Sequence, residues 1–219
     1  MLPRVLEPEA MDSEAEARDY DAMDHSAVNG VFVRDFLAEG PLLGTVLDLG
    51  TGTAQIPIEL ARREPAALVV AVDLADPMLA LARRNVDRAG LAARIQLEKG
   101  DGKRLPYADS IFFAVMSNSI VHHIPEPKSA LEEALRVTRR GGRLFFRDLL
   151  RPESDAEVRR LVDTYAAGAD DHQRFLFDAS LRAALTLDEV KAVVDALGLC
   201  RNCVVQTSDR HWTFASIVA

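Results

Sequence analysis

From residue 46 onward, short apolar runs alternate with longer stretches in which apolar residues recur at helical spacing. Runs of roughly four to eight apolar and β-branched residues suit strands buried on both faces, while the intervening periodicity suits amphipathic helices. The alternation predicts βαβ units and a mostly parallel sheet. The runs are VLDLG (46–50), LVVAVDL (68–74), RIQLEKG (94–100), IFFAVMS (111–117) and RLFFRDLL (143–150). Punctuation between them fits helices: Pro57 in a first turn, Asp76-Pro77 opening a helix that Gly90 closes, and Pro127 opening one that Gly141-Gly142 stops.

The ends follow a different pattern. Ser13 and Glu16 have the spacing of a capping box for a short acidic helix, and AVNGVFVRDFLAEG (27–40) offers a second helix, so residues 1–43 are expected to form a helical cap, lid or dimer surface. Residues 44–150 form the sheet core, and 151–185 a helical, irregular insertion on the substrate side. Thr186 and Glu189 repeat the capping-box spacing before a helix that Gly198 stops. CVVQTS, a turn at Asp209-Arg210 and HWTFASIV then read as an antiparallel hairpin on the sheet edge. The expected fold is one α/β domain (1–219), doubly wound and Rossmann-like, with seven mostly parallel strands.

Composition narrows the chemistry. A chain of 219 residues, 48% hydrophobic, can bury one sizeable core. No apolar run approaches the roughly 18 residues of a membrane span, and the acidic first residues lack a signal-peptide core, so a cytoplasmic protein without a membrane span is expected. A net charge of -8 argues against a nucleic-acid partner, because phosphate binding needs clustered Lys and Arg. Cys200 and Cys203 form a lone C-x-x-C with no second Cys or His pair at zinc spacing; they are expected as two reduced structural thiols, and no metal site is expected.

The first strand runs into VLDLGTGTAQIP (46–57), where Gly50 and Gly52 permit a sharp turn into a helix start. Such a turn places backbone N–H groups at the sheet edge where open α/β sheets bind ligands, yet it also suits a ligand-free βα connection. A nicotinamide fingerprint would need glycine at position 55, which is Gln55. The Tyr-x-x-x-Lys pair of short-chain dehydrogenases is absent too: Tyr20, Tyr107 and Tyr165 are followed four residues later by Asp24, Ile111 and Ala169.

Four segments in order, VLDLGTGTA, AVDLADPMLALARRN, GDGKRLPYADSIFFAVMSNSIVHHIPEP and ALEEALRVTRRGGRLFFRD, resemble class I S-adenosylmethionine-dependent methyltransferases. The likeness is to the small-molecule branch that includes ubiquinone and menaquinone biosynthesis enzymes. It implies S-adenosylmethionine as cofactor, S-adenosylhomocysteine as product and a small-molecule acceptor. Gly50, Thr51 and Gly52 would then admit the methionine part and ribose, Asp48 would help hold the ammonium group, and Asp73 would accept from the ribose hydroxyls. Asp101 and Gly102 would meet the adenine amino edge, with Leu74 and Met78 on its faces. Ser117, Asn118 and Ser119 would frame the methyl group, and Tyr20 would lie over the donor.

If the acceptor must lose a proton, His122, His123, Asp148 and His172 are the candidate bases. A structural or cofactor-side role is preferred for the two adjacent histidines. Arg147 and Asp148 interrupt the fifth apolar run and are expected to face the cleft, or else to form an ion pair; Arg147, Arg210 and Trp212 are candidate acceptor contacts. Two rival readings stay open: an enzyme of the same fold that uses S-adenosylmethionine without methyl transfer, and a non-catalytic cofactor-binding regulator.

Overall fold

A computed structural model describes residues 2–8 and 12–219. Residues 1 and 9–11, part of the expected N-terminal cap, lie outside the described residues. The order is α1 (Glu14–Ala22), α2 (Ser26–Ala38), β1 (Val46–Leu49), α3 (Gln55–Arg63), β2 (Val69–Asp73), α4 (Asp76–Arg88), β3 (Ile95–Lys99) and β4 (Phe112–Asn118). There follow α5 (Pro127–Val137), β5 (Thr138–Leu149), α6 (Asp155–Tyr165), α7 (Asp171–Ala183), α8 (Leu187–Ala196), β6 (Val204–Gln206) and β7 (His211–Ile217).

The seven strands run in the order β3-β2-β1-β4-β5-β7-β6. β1 to β5 are parallel, and β7 inserts antiparallel between β5 and β6. The chain is therefore the doubly wound α/β fold expected, with its C-terminal hairpin at one edge. Both capping boxes form: the Glu16 and Glu189 amides donate to the hydroxyls of Ser13 and Thr186, each at 3.2 Å.

Side chains alternate between two layers, as the strand period of two requires. Val46, Ala71, Met116 and Phe145 pack under α2, α3 and α4, whereas Leu47, Leu49, Val115, Leu144 and Phe146 pack under α5 and α8. The α2 helix belongs to this core, since Phe32, Val33 and Phe36 are fully buried. Only α1 behaves as a cap, resting Ala17 and Tyr20 on Ala75 and Met78 of the α4 region. No helix among the described residues is long and apolar enough to cross a membrane.

One boundary differs from expectation. The helix ends at Val137 and β5 begins at once, so Gly141-Gly142 lie inside the strand, at an irregularity between the pairs Phe112–Thr138 and Ala114–Arg143. A Cβ at Gly142 would sit 2.7 Å from the carbonyl oxygens of both Arg139 and Phe113. Close backbone approach, not helix termination, is what requires glycine there.

Candidate functional site

The carboxyl ends of β1, β2 and β4 border a cleft with about 820 Å³ of empty space, mouth included. Its walls include Tyr20, Leu49, Gly50, Gly52, Asp73, Leu74, Met78, Asp101, Gly102, Asn118, Ser119, Ile120 and His123. Ten of these are residues proposed from sequence for the cofactor, gathered from five separate segments.

The β1–α3 turn and the end of β2 are tied together at Asp73. Its Oδ2 accepts from the Gly52 amide at 2.7 Å and its Oδ1 from the Ala75 amide at 2.9 Å. These bonds fix the carboxylate's orientation and leave lone pairs for hydroxyl donors. Gly50 has φ +74°, and a Cβ there would fall 2.3 Å from Ile120 Cγ2. Ile120 was not foreseen, because nothing local marks a contact between the β1 turn and the segment after β4.

Tyr20 closes the opposite wall, its ring 4.8 Å from that of His25. Burial, then the negative charges of Asp73, Asp48 and Asp21, push its hydroxyl up to about 12, so it stays neutral. Asp101 Oδ1 accepts from the Lys103 amide at 2.9 Å and pairs with Lys103 Nζ at 2.9 Å. Burial would raise the Asp101 carboxyl, but the Lys103 bonds outweigh it and hold it below the ordinary carboxylate range.

Asp48 and Thr51 lie behind the turn rather than on the cleft wall. Asp48 is 2% exposed, and among the described residues no hydrogen bond reaches its Oδ2 or the Thr51 Oγ1. Burial raises the Asp48 carboxyl to about 7. From about pH 4 to pH 7 the folded chain therefore holds a proton that the unfolded chain has released, and this contribution to stability is lost as pH rises through that window. In ligand-free thermal melts Asp48→Asn should gain on the native protein across that interval and level off above it, by at most about 4 kcal/mol. Parallel curves for the two proteins would contradict the burial assignment.

The catalytic and acceptor candidates mostly fall elsewhere. Arg147 and Asp148 are neighbours on a strand, so they point to opposite layers and cannot both face the cleft. Arg147 donates to Asp35 Oδ2 at 2.8 Å and Thr213 Oγ1 at 2.9 Å, joining α2 to β5 and β7. Asp148 is fully buried; it accepts from the amides of Val121 and His122 at 2.5 and 3.2 Å, and from His122 Nδ1 at 2.5 Å. Burial alone would lower the His122 imidazole, but Asp148 and then Glu7 raise it to about 9.

Trp212 is fully buried in the layer under α8, so it is core rather than an acceptor contact. Arg210 stacks on Tyr165, 3.3 Å from the ring centroid, outside the cleft wall. His172 is exposed on the first turn of α7, away from the cleft. Ser117 is buried and donates to Leu49 O at 2.8 Å. Of the base candidates, His123 alone lines the cleft. Cys200 and Cys203 are free thiols, one exposed and one half-buried.

Glu7 is a residue that sequence reasoning missed. Residues 2–8 run as an extended strap, with the Val5 amide on Arg182 O at 3.1 Å and Arg4 Nη2 on the carbonyls of His122 and Ile124 at 3.0 Å. Glu7 Oε1 thereby reaches both histidines. Pro3 and Pro8 favour an extended segment, which was the one available signal.

Comparison with known proteins agrees with this geometry. A methyltransferase-domain family model matches residues 47–146. Demethylmenaquinone methyltransferase of Thermus thermophilus is 38% identical over 111 residues, 51% of this chain and 50% of that protein. The chain thus spans about half the length of the curated relatives it matches. In overall fold it is similar to an S-adenosylmethionine-dependent methyltransferase of Aquifex aeolicus, at TM-score 0.70 and 20% identity over 94% of this chain and 99% of that one. An N-methyltransferase of Haemonchus contortus, solved with S-adenosylhomocysteine, gives TM-score 0.64 at 17% identity over 85% and 42% of the chains. Residues 47–146 thus match the methyltransferase-domain family, within a fold like that of S-adenosylmethionine-dependent methyltransferases.

Proposed function

We propose that this chain transfers the methyl group of S-adenosylmethionine to a small-molecule acceptor at the end of the cleft bordered by Asn118, Ser119 and His123. The observation that carries the reading is the Asp73 carboxylate, oriented by two backbone amides in a cleft opened by Gly50. An adenosine ribose offers the two hydroxyl donors such a carboxylate lacks. Asp48 behind the turn, whose carboxyl burial raises to about 7, would be held ionised by the methionine ammonium, and the neutral Tyr20 ring offers a face to the sulfonium. Leu74 and Met78 give apolar walls for the adenine, and Asp101 an acceptor for its amino group.

The bound sulfonium supplies an activated methyl group, which leaves the chain chiefly the task of alignment. Tyr20, Ile120 and Asn118 are among the residues that line this cleft. The relatives named for demethylmenaquinone match about half of the chain, and the family model matches residues 47–146, so both support the donor more than the acceptor.

Incubation with S-adenosylmethionine labelled in its methyl group, against phenolic, amine and thiol acceptors, tests the reading. Label is expected to leave the donor with one acceptor class. If the chain binds the donor tightly but label stays on it throughout, the reading of a sulfonium enzyme without methyl transfer takes its place.

A further inference from the structure

Three ligand-type side chains from distant parts of the sequence meet beside the acceptor end of the cleft. Glu7 Oε1 lies 3.3 Å from His122 Nε2 and 3.3 Å from His123 Nδ1, and the three ligand atoms all fall within 4.8 Å of one another. We propose that Glu7, His122 and His123 bind one divalent transition-metal ion of the zinc type, with an open coordination position turned toward the cleft through His123.

The spacing suits such an ion. Metal–ligand bonds of roughly 2.0–2.1 Å in a tetrahedron place ligand atoms about 3.3 Å apart, the separation of Glu7 Oε1 from each imidazole nitrogen. The same separation is long for a charge-assisted hydrogen bond, which falls at about 2.7–2.9 Å. His122 Nε2 carries a proton toward Glu7 and His123 Nδ1 lies 3.2 Å from the Pro8 carbonyl oxygen, so an ion binds here by displacing those protons. His122 also has the outer partner that a metal-bound imidazole has: its Nδ1 meets Asp148 Oδ1 at 2.5 Å, which leaves Nε2 turned to Glu7.

Two imidazoles and one carboxylate favour zinc or a neighbouring first-row ion over magnesium or calcium, which prefer oxygen ligands. The carboxylates of Glu7 and Asp148 offset the charge such an ion would bring. Arg4, the nearest cation of the strap, is turned to backbone carbonyls rather than to either carboxylate, so it fixes the loop without occupying the site. Three protein ligands with one open position is the arrangement of catalytic rather than structural zinc sites. His123 belongs both to this cluster and to the cleft wall, so a thiol or hydroxyl taken up at the open position would lie beside the methyl donor and lose its proton more readily. The metal-binding claim is independent of methyl transfer, and its failure would leave the cofactor assignment untouched.

The test uses the full chain carrying Cys200→Ser and Cys203→Ser, so that the thiols cannot compete. After dialysis against Zn²⁺, mass spectrometry is expected to find one equivalent retained, and Co²⁺ titration should give the visible absorption of a low-coordinate site. Glu7→Gln and His123→Gln should each weaken binding at least about tenfold with circular dichroism unchanged. Either variant decides the matter if the other fails to fold. The proposal is overturned if the cysteine-free chain with all three ligands intact retains neither ion, or if both variants retain the metal as tightly as their parent.

Discussion

Asp73→Ala is expected to reduce affinity for S-adenosylmethionine by at least about 100-fold in a calorimetric titration. Two hydrogen bonds from ribose hydroxyls to a carboxylate are each worth roughly 1.5–3 kcal/mol, and every 1.4 kcal/mol is a factor of ten. The loss extends to the apo protein, because the Gly52 and Ala75 amides would lose the acceptor that ties the β1–α3 turn to β2. Asp73→Asn separates the effects: its amide oxygen keeps one backbone bond and one ribose acceptor, so it should fall between the native protein and the alanine variant. An affinity within threefold of native for Asp73→Ala would remove this residue from the cofactor site.

Gly50→Ala should be strongly destabilising. Its φ of +74° is strained for alanine, and the new Cβ would meet Ile120 at 2.3, 2.9 and 3.0 Å. About 1 kcal/mol for the backbone and about 1–3 kcal/mol for overpacking together predict a loss of roughly 2–4 kcal/mol. Gly90→Ala isolates the backbone part, since Gly90 has φ +69° and no heavy atom within 4 Å of the added Cβ. Adding Ile120→Ala to Gly50→Ala should recover part of the excess, read as a coupling in chemical denaturation. Equal losses for Gly50→Ala and Gly90→Ala would mean that Ile120 does not press on the turn.

The parallel core was legible in sequence because β1, β2, β4 and the later part of β5 are mostly buried and read as largely apolar runs, with only the edge strand β3 mixed in polarity. The donor end of the cleft was legible for a related reason: Gly50, Asp73, Asp101 and Asn118 each end or follow a strand, and the fold brings strand ends together. The acceptor end was not, since it depends on contacts that no local pattern encodes. For Arg147 and Asp148 the sequence leaves a cleft position or an ion pair open; alternation along the strand separates them, so one bridges to Asp35 of α2 and the other holds His122. Trp212 stands beside Arg210 and His211 in the terminal hairpin, the grouping that suggests an acceptor contact, whereas β7 is flanked by β5 and β6 and Trp212 belongs to the core. Glu7 was invisible because its partners lie at the far end of the β4 segment, and only the docked strap joins them.

A structure of the chain with S-adenosylhomocysteine tests the central claim most directly. The account predicts the ribose hydroxyls on the Asp73 carboxylate, the adenine between Leu74 and Met78 with its amino group toward Asp101, and the sulfur facing Asn118 and Ser119. A saturating concentration that leaves this cleft without ligand, or an adenosine bound away from Asp73, would contradict it.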